Sequence, residues 1–208
     1  MNGDKGIVLD MKCLFLDIAS HDGLLALVTE QEVIAYRAVH NRVPDHELIP
    51  LMEELLRQGG WSYSHLTHIA CVVGPGGFMS LRVASACANT LVSQLNILSV
   101  GIHLSDVYRA RIGAHTREVY WLHSTKKDQL FIDGGQWNEP TLINLQELQT
   151  LIPRFLWIGE LLPEHEKALE AHGLKKAALR EMTEILPRFL AEQRYSRQNI
   201  IPWYGRGW

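Results

Sequence analysis

Ile69-Ala70-Cys71-Val72-Val73-Gly74-Pro75-Gly76-Gly77-Phe78-Met79-Ser80-Leu81-Arg82 decides how the chain is read. Its first five residues form a short apolar run bounded by turn residues, as in a strand buried on both faces. Three glycines around Pro75 then turn the chain, and a helix is expected from about Ser80 to Leu95. Glycines before a helix N-terminus are the ingredients of an anion cradle. Here neither a Walker lysine nor a GxGxxG spacing accompanies them, so residues 74 to 77 are read as a tight strand-to-helix connection. Arg82 early in that helix opposes the macrodipole, and a carboxylate, local or from a partner, is expected beside it.

Working outward, residues 13 to 18 and 24 to 28 are apolar runs separated by Ser20-His21-Asp22-Gly23, which reads as a hairpin, and residues 32 to 39 supply a third strand. At 100° per residue, Leu48, Ile49, Leu51, Met52, Leu55 and Leu56 fall within roughly 160° of arc, opposite Glu53, Glu54 and Arg57. That is a helix with a wide apolar stripe and Pro50 near its first turn, so that it either starts close to residues 46 to 48 or kinks at Pro50, and Gly59-Gly60 stops it. The second helix carries Ala84, Ser85, Ala86, Cys87 and Ala88, small enough for another helix to approach closely. Residues 97 to 100 form another buried strand. Strands alternating with helices imply an α/β fold of mixed sheets flanked by helices.

Further on, a helix is expected to about Arg111, then a hairpin from residues 118 to 122 and 129 to 132. Asn144 and Glu147 suggest a capping box for a short helix, residues 155 to 158 a strand, and 161 to 172 and 180 to 193 two helices. Gly113 marks the expected junction between a first lobe, residues 11–112, and a smaller second lobe with a tail, 113–208. Residues 1 to 10 play no part in the reading. No internal repeat of short period is apparent.

The 208 residues are 47% hydrophobic and 21% charged with a formal charge of −3, the balance of a globular protein without bulk attraction for nucleic acid. Cys13, Cys71 and Cys87 are odd in number and lack CxxC spacing, which argues for free thiols in a reducing cytoplasm and against a zinc site. No apolar run reaches the ~18 residues of a membrane span.

Other motifs support no chemistry on their own. Asp17 ends the first strand, where a phosphotransferase would place a metal-directed carboxylate; residues 18 to 21 offer no glycine loop, so it reads as a turn carboxylate. Asp133-Gly134-Gly135 reads as a hairpin turn. His65 and His68 form an HxxH without helical context, and no metal is expected. Ser80 has an exposed-turn setting but no GxSxG elbow. The tail mixes Tyr195, Trp203, Tyr204 and Trp208 with Arg194, Arg197 and Arg206, suited to stacking on RNA bases, to an interface, or to folding back on the chain.

Gly74 to Arg82 resembles the GPGSFTGLR segment of the TsaB (YeaZ) family. LFLDIAS, LIPLMEELL, Glu118-Val119-Tyr120, Ile158-Gly159-Glu160 and the Pro202-Trp203-Tyr204-Gly205-Arg206 ending are similar to that family's segments in the same order. Gly77, Met79, Ser80, Pro44, Gly113 and His115 depart from its pattern. The resemblance implies a two-lobed, actin-like (ASKHA) and ribonuclease-H-like fold and a heterodimer with TsaD, the paralogue that transfers threonylcarbamoyl to adenosine in tRNA. A TsaE-like ATPase joins that assembly, and tRNA is met only indirectly. It further implies no catalytic residue and no cofactor bound by this chain alone, ATP entering only through the complex. Leu48, Leu51, Met52, Leu55, Leu81, Ala84, Ser85 and Ala88 would carry the partner contact, or a homodimer through the same helices; for an arbitrary chain such stripes would fill its own core. Asp17, Gly74, Pro75, Gly76, Phe78 and Arg82 would be structural. The alternative is a small actin-like nucleotide-binding phosphotransferase using Asp17 and Gly74 to Gly77.

Overall fold

A computed structural model describes residues 10–39, 43–112, 119–126, 128–151 and 155–205. The first half of the chain gives β1 (Cys13–Asp17), β2 (Gly23–Val28), β3 (Val33–Val39), α1 (Leu48–Gln58), β4 (His68–Gly74), α2 (Phe78–Leu95), β5 (Leu98–His103) and α3 (Leu104–Ile112). The second gives β6 (Val119–Lys126), β7 (Gln129–Gly134), β8 (Trp137–Asn144), α4 (Leu145–Leu151), β9 (Leu156–Glu160), α5 (Pro163–Ala171), β10 (Lys175–Lys176) and α6 (Met182–Ala191). Two five-stranded sheets result, ordered β3-β2-β1-β4-β5 and β8-β7-β6-β9-β10. In each, the first three strands form an antiparallel meander and the last two run parallel to the meander's first strand. The same plan is therefore used twice, a repeat at the level of topology that no short sequence period reveals.

Alternation along β1 explains the layering. Leu14 and Leu16 join Leu25, Leu27, Ile69 and Cys71 beneath α1 and α2. Cys13 and Phe15 point the other way, into a central core shared by both sheets with α3 and α6, where they meet Trp121, Phe131, Ile158 and Leu186. A third cluster, around Leu122, Leu130, Trp157 and Leu169, lies between the second sheet and α4 and α5.

Two elements differ from expectation. The sequence pattern does not mark β8, because Glu139 and Pro140 interrupt it; as an edge strand it tolerates proline, which lacks the N–H a central strand would need. β10 is only two residues long. Asp133-Gly134-Gly135 is a hairpin turn, Gly134 facing Trp137 across it. The expected junction at Gly113, with His115 and Glu118, lies outside the described residues, as do Arg206 and Trp208.

The tail folds back. Ser196 makes an antiparallel bridge to Ser99 at the outer edge of β5, the Ile200 N–H donates to Asn89 at 2.7 Å, and the Trp203 N–H donates to the Val73 carbonyl at 2.8 Å. Tyr195 packs edge-on to His68, and Trp203 lies between His103 and Phe131. Its aromatic rings are thus largely engaged by this chain.

Candidate site at the junction of the sheets and on the outer helices

β1 and β6 are the central strands of their sheets, and the turn after β1 meets Glu160 at the end of β9, the parallel neighbour of β6. Asp17 is buried there, its carboxylate accepting the Ala19 and Ser20 N–H groups at 3.3 and 3.2 Å and the Ser20 hydroxyl in a short bond. Burial pushes its pKa up to about 7, the Glu160 charge adding to the rise, against the lowering effect of those donors. Three local donors, the Ala19 and Ser20 N–H groups and the Ser20 hydroxyl, thus engage Asp17 within its own turn.

Glu160, at the end of β9, reaches across to the first sheet. Its Oε1 accepts the His21 and Asp22 N–H groups at 2.9 and 3.4 Å and the Tyr108 hydroxyl at 3.0 Å. Asp22 in turn pairs with Arg111 at 2.6 Å, and Arg111 also donates to the Arg180 carbonyl at 2.9 Å. One carboxylate thereby fastens the second sheet to the β1–β2 turn. Its Oε2 has no hydrogen-bond partner and faces His123 Nδ1, also unpaired, at 3.8 Å. Burial, with His21 and His103 nearby, pushes the His123 pKa down to about 3, so the ring is neutral. Burial likewise takes His103 to about 4. Residues far apart in sequence make this cluster, and the only sequence trace of it was a charged residue closing the apolar strand Leu156–Glu160.

The glycine connection beside it packs closely on neighbouring backbone at Gly74 and Gly76, while Gly77 is exposed. The Gly77 N–H donates to the Ala19 carbonyl at 3.1 Å, and a Cβ on Gly76 would stand 2.6 Å from that same oxygen. Gly74, at φ +136°, is crossed by the Trp203 carbonyl. At Gly74 and Gly76 these contacts need glycine. Arg82 does not find the expected carboxylate among the described residues; its guanidinium lies over the Phe78 ring, 5.5 Å from the centroid. Ser80 is buried, contrary to its expected exposure. His65 caps Ser62 at 2.9 Å while His68 packs on Tyr195, so the HxxH residues serve separate contacts.

On the outer side of the first sheet, Leu48, Met52 and Leu55 of α1 and Leu81, Ala84, Ser85 and Ala88 of α2 are all buried within this chain. As surface positions for a partner they are corrected: the small residues let α2 lie close against β4. Only Leu51 of the eight reaches the surface, and only in part. The solvent side of the pair instead presents Ile49 and Met79, 46% and 43% exposed, with Ala86 exposed as well. Leu51, Val83, Cys87 and Leu91 are half-buried beside them. Glu53, Arg57 and Arg82 are the exposed charges of these helices.

Among the described residues, no helix is long and apolar enough to cross a membrane and no cluster of metal-ligating side chains occurs. Residues 41–136 match the family model of TsaD, tRNA N6-adenosine threonylcarbamoyltransferase. Over 88 residues the chain is 33% identical to the tRNA N6-adenosine threonylcarbamoyltransferase of Polynucleobacter asymbioticus, covering 39% of this chain and 25% of that protein. It is 26% identical over 130 residues to the tRNA threonylcarbamoyladenosine biosynthesis protein TsaB of Buchnera aphidicola, covering 54% of this chain and 58% of the relative. The matched regions thus span between a quarter and three-fifths of these curated relatives. YeaZ from Pseudomonas aeruginosa superposes with a TM-score of 0.67 at 16% identity, covering 93% of this chain and 99% of that one. A second structure from that organism, described as similar to peptidase YEAZ, gives 0.67 at 17% identity over 94% of this chain and all of that one. The fold is the actin-like, two-sheet class expected from the sequence. A curated TsaB is thus matched in sequence over part of the chain, a TsaD model across residues 41–136 and YeaZ in fold from end to end, so the chain is similar to the TsaB and YeaZ proteins.

Proposed function

We propose that this protein takes part in making threonylcarbamoyladenosine in tRNA as a non-catalytic subunit, docking a TsaD-like catalytic protein on the solvent side of α1 and α2. The observation that carries the reading is the set Ile49, Met79, Val83, Ala86 and Cys87, apolar side chains left partly or wholly uncovered on α1 and α2 over a buried core. Such a set is what a helical partner covers, by interlocking with the ridges these side chains form. Asp17, Glu160 and the glycine connection are engaged in holding the chain together, which supports a subunit that contributes a surface rather than a reaction. In this reading nucleotide enters through the assembled complex, with a TsaE-like ATPase, and tRNA is contacted through the partner.

The test is co-purification with a TsaD-like protein from the same source. Wild-type chain gives a heterodimer whose tRNA-modifying activity needs both subunits. Val83→Glu leaves the fold intact, within about 1 kcal/mol because the site is partly solvated, and weakens pairing at least a hundredfold. A Val83→Glu chain that is folded and still pairs like wild type sinks the reading. If the wild-type face is instead covered by a second copy of this chain, mass determination gives a homodimer that the partner fails to displace.

A further inference from the structure

We propose that the cavity between the β4–α2 connection and β6 binds an uncharged planar ring bearing an N–H or O–H donor, with His123 as its acceptor. The cavity encloses about 330 Å³, room for an indole- or purine-sized ring, and is bordered by Gly76, Phe78, Phe131, Trp203, Tyr204 and His123 among others. Its aromatic walls are already fixed: Trp203 sits 4.5 Å from His103 and 5.0 Å from Phe131 between ring centroids, and Tyr204 sits 5.0 Å from Phe78. A ring entering between them meets preformed faces and edges, so little ordering opposes binding.

The polar part selects the ligand further. Among the described residues, no Asp, Glu, Lys or Arg borders the cavity, so a phosphate or an ammonium group would be desolvated there without a counter-charge. The Ser124 hydroxyl is engaged by His165 at 2.8 Å and by the Leu162 N–H at 2.9 Å, and the Thr125 hydroxyl donates to the Gln129 carbonyl at 3.0 Å. Of the β6 side chains that border the cavity, His123 remains, a buried ring whose Nδ1 is turned to the unpaired Oε2 of Glu160. A carboxylate facing Nδ1 favours the tautomer with the proton on that nitrogen, which leaves Nε2 as a lone-pair acceptor. The ring stays neutral through the physiological range because burial opposes its protonation. The site therefore asks its ligand for a donor and for no charge. None of its lining residues belongs to α1, and it does not depend on the partner reading.

Calorimetry and ligand-observed NMR on the full chain, with indole and 1-methylindole as matched probes and adenosine and ATP as a second pair, test this. Saturable binding is expected for indole, at least tenfold weaker binding for 1-methylindole, and no gain for ATP over adenosine. His123→Phe should bring indole down to the level of its methylated analogue while leaving the analogue unchanged. Equal binding of the two indoles, or no binding of either, to the unaltered chain overturns the proposal whether or not the variant folds. A tenfold preference for ATP over adenosine overturns it as well, since it would place a triphosphate where no cation stands.

Discussion

The two halves of this molecule share one strand order and one arrangement of outer helices, yet they finish those helices differently. On the second sheet, α5 turns Glu164, Glu166, Lys167 and Glu170 outward, a surface suited to water. On the first, the same layer turns out Ile49, Met79, Val83 and Ala86. One plan therefore appears once with a charged outer layer and once with one that mixes apolar residues among Glu53, Arg57 and Arg82, and the difference lies in surface residues, since both layers cover buried apolar cores. On the proposed reading, architecture does not mark the docking side; the side chains over it do.

The comparison breaks most visibly if the inward residues are charged. Met52→Glu places a carboxylate among Leu55, Leu56 and Cys87 in a fully buried position, and a loss above about 4 kcal/mol is expected from the lost packing and the unpaired charge. Thermal melts followed by circular dichroism should show an unfolded or severely destabilised chain, and a loss of pairing in this variant reports on folding. Glu160→Ala is expected to cost about 2–4 kcal/mol, because the His21 and Asp22 N–H groups and the Tyr108 hydroxyl lose a charged acceptor across the junction. Denaturant titration would measure it, and a loss below about 0.5 kcal/mol would mean the two halves are held by apolar contact alone.

A smaller effect sharpens the role of the junction through pH. Asp17 holds its proton more tightly folded than unfolded, so it removes stability as pH rises from about 4 to 7. His103 and His123 hold theirs less tightly when folded, so their contribution is complete above about 6.5 and is lost as pH falls toward 4 and 3. The two slopes oppose each other between pH 4 and 6.5, the histidines prevailing by two groups to one. Stability is expected to peak near pH 6.5, and Asp17→Asn should steepen the acid side and flatten the decline between 6.5 and 7. A melting series in which the variant and wild type run parallel from pH 4 to 8 would show that Asp17 does not titrate in that range.

Much of the fold was legible. The meander, the buried strand at Ile69, both first-half helices and the later hairpin follow from apolar period and turn residues, which encode local geometry directly. β8 was hidden because an edge strand need not alternate cleanly and can hold Pro140. The outer helices show the limit of periodicity: a 160° stripe identified the apolar residues of α1 but not the part of the arc that would be covered, and Ile49 and Met52 look alike until the sheet beneath is known. Small residues on α2 suggested a close neighbour, and the neighbour is β4. Asp17 could be read as a turn carboxylate because its donors, Ala19 and Ser20, are adjacent in sequence. Glu160, His123 and Tyr108 could not be grouped, since three different elements bring them together.

The backward fold of the tail also fixes an order of events during synthesis. β5 ends at His103, but the bridge that completes its outer edge comes from Ser196, so the ribosome must make the whole second sheet before that edge can close. At about 5–20 residues per second, the nascent chain carries an unpaired strand edge for roughly 5 to 20 s. During that interval the first half is a partly finished sheet with an open side, and the cell's holding chaperones have their longest opportunity to meet it.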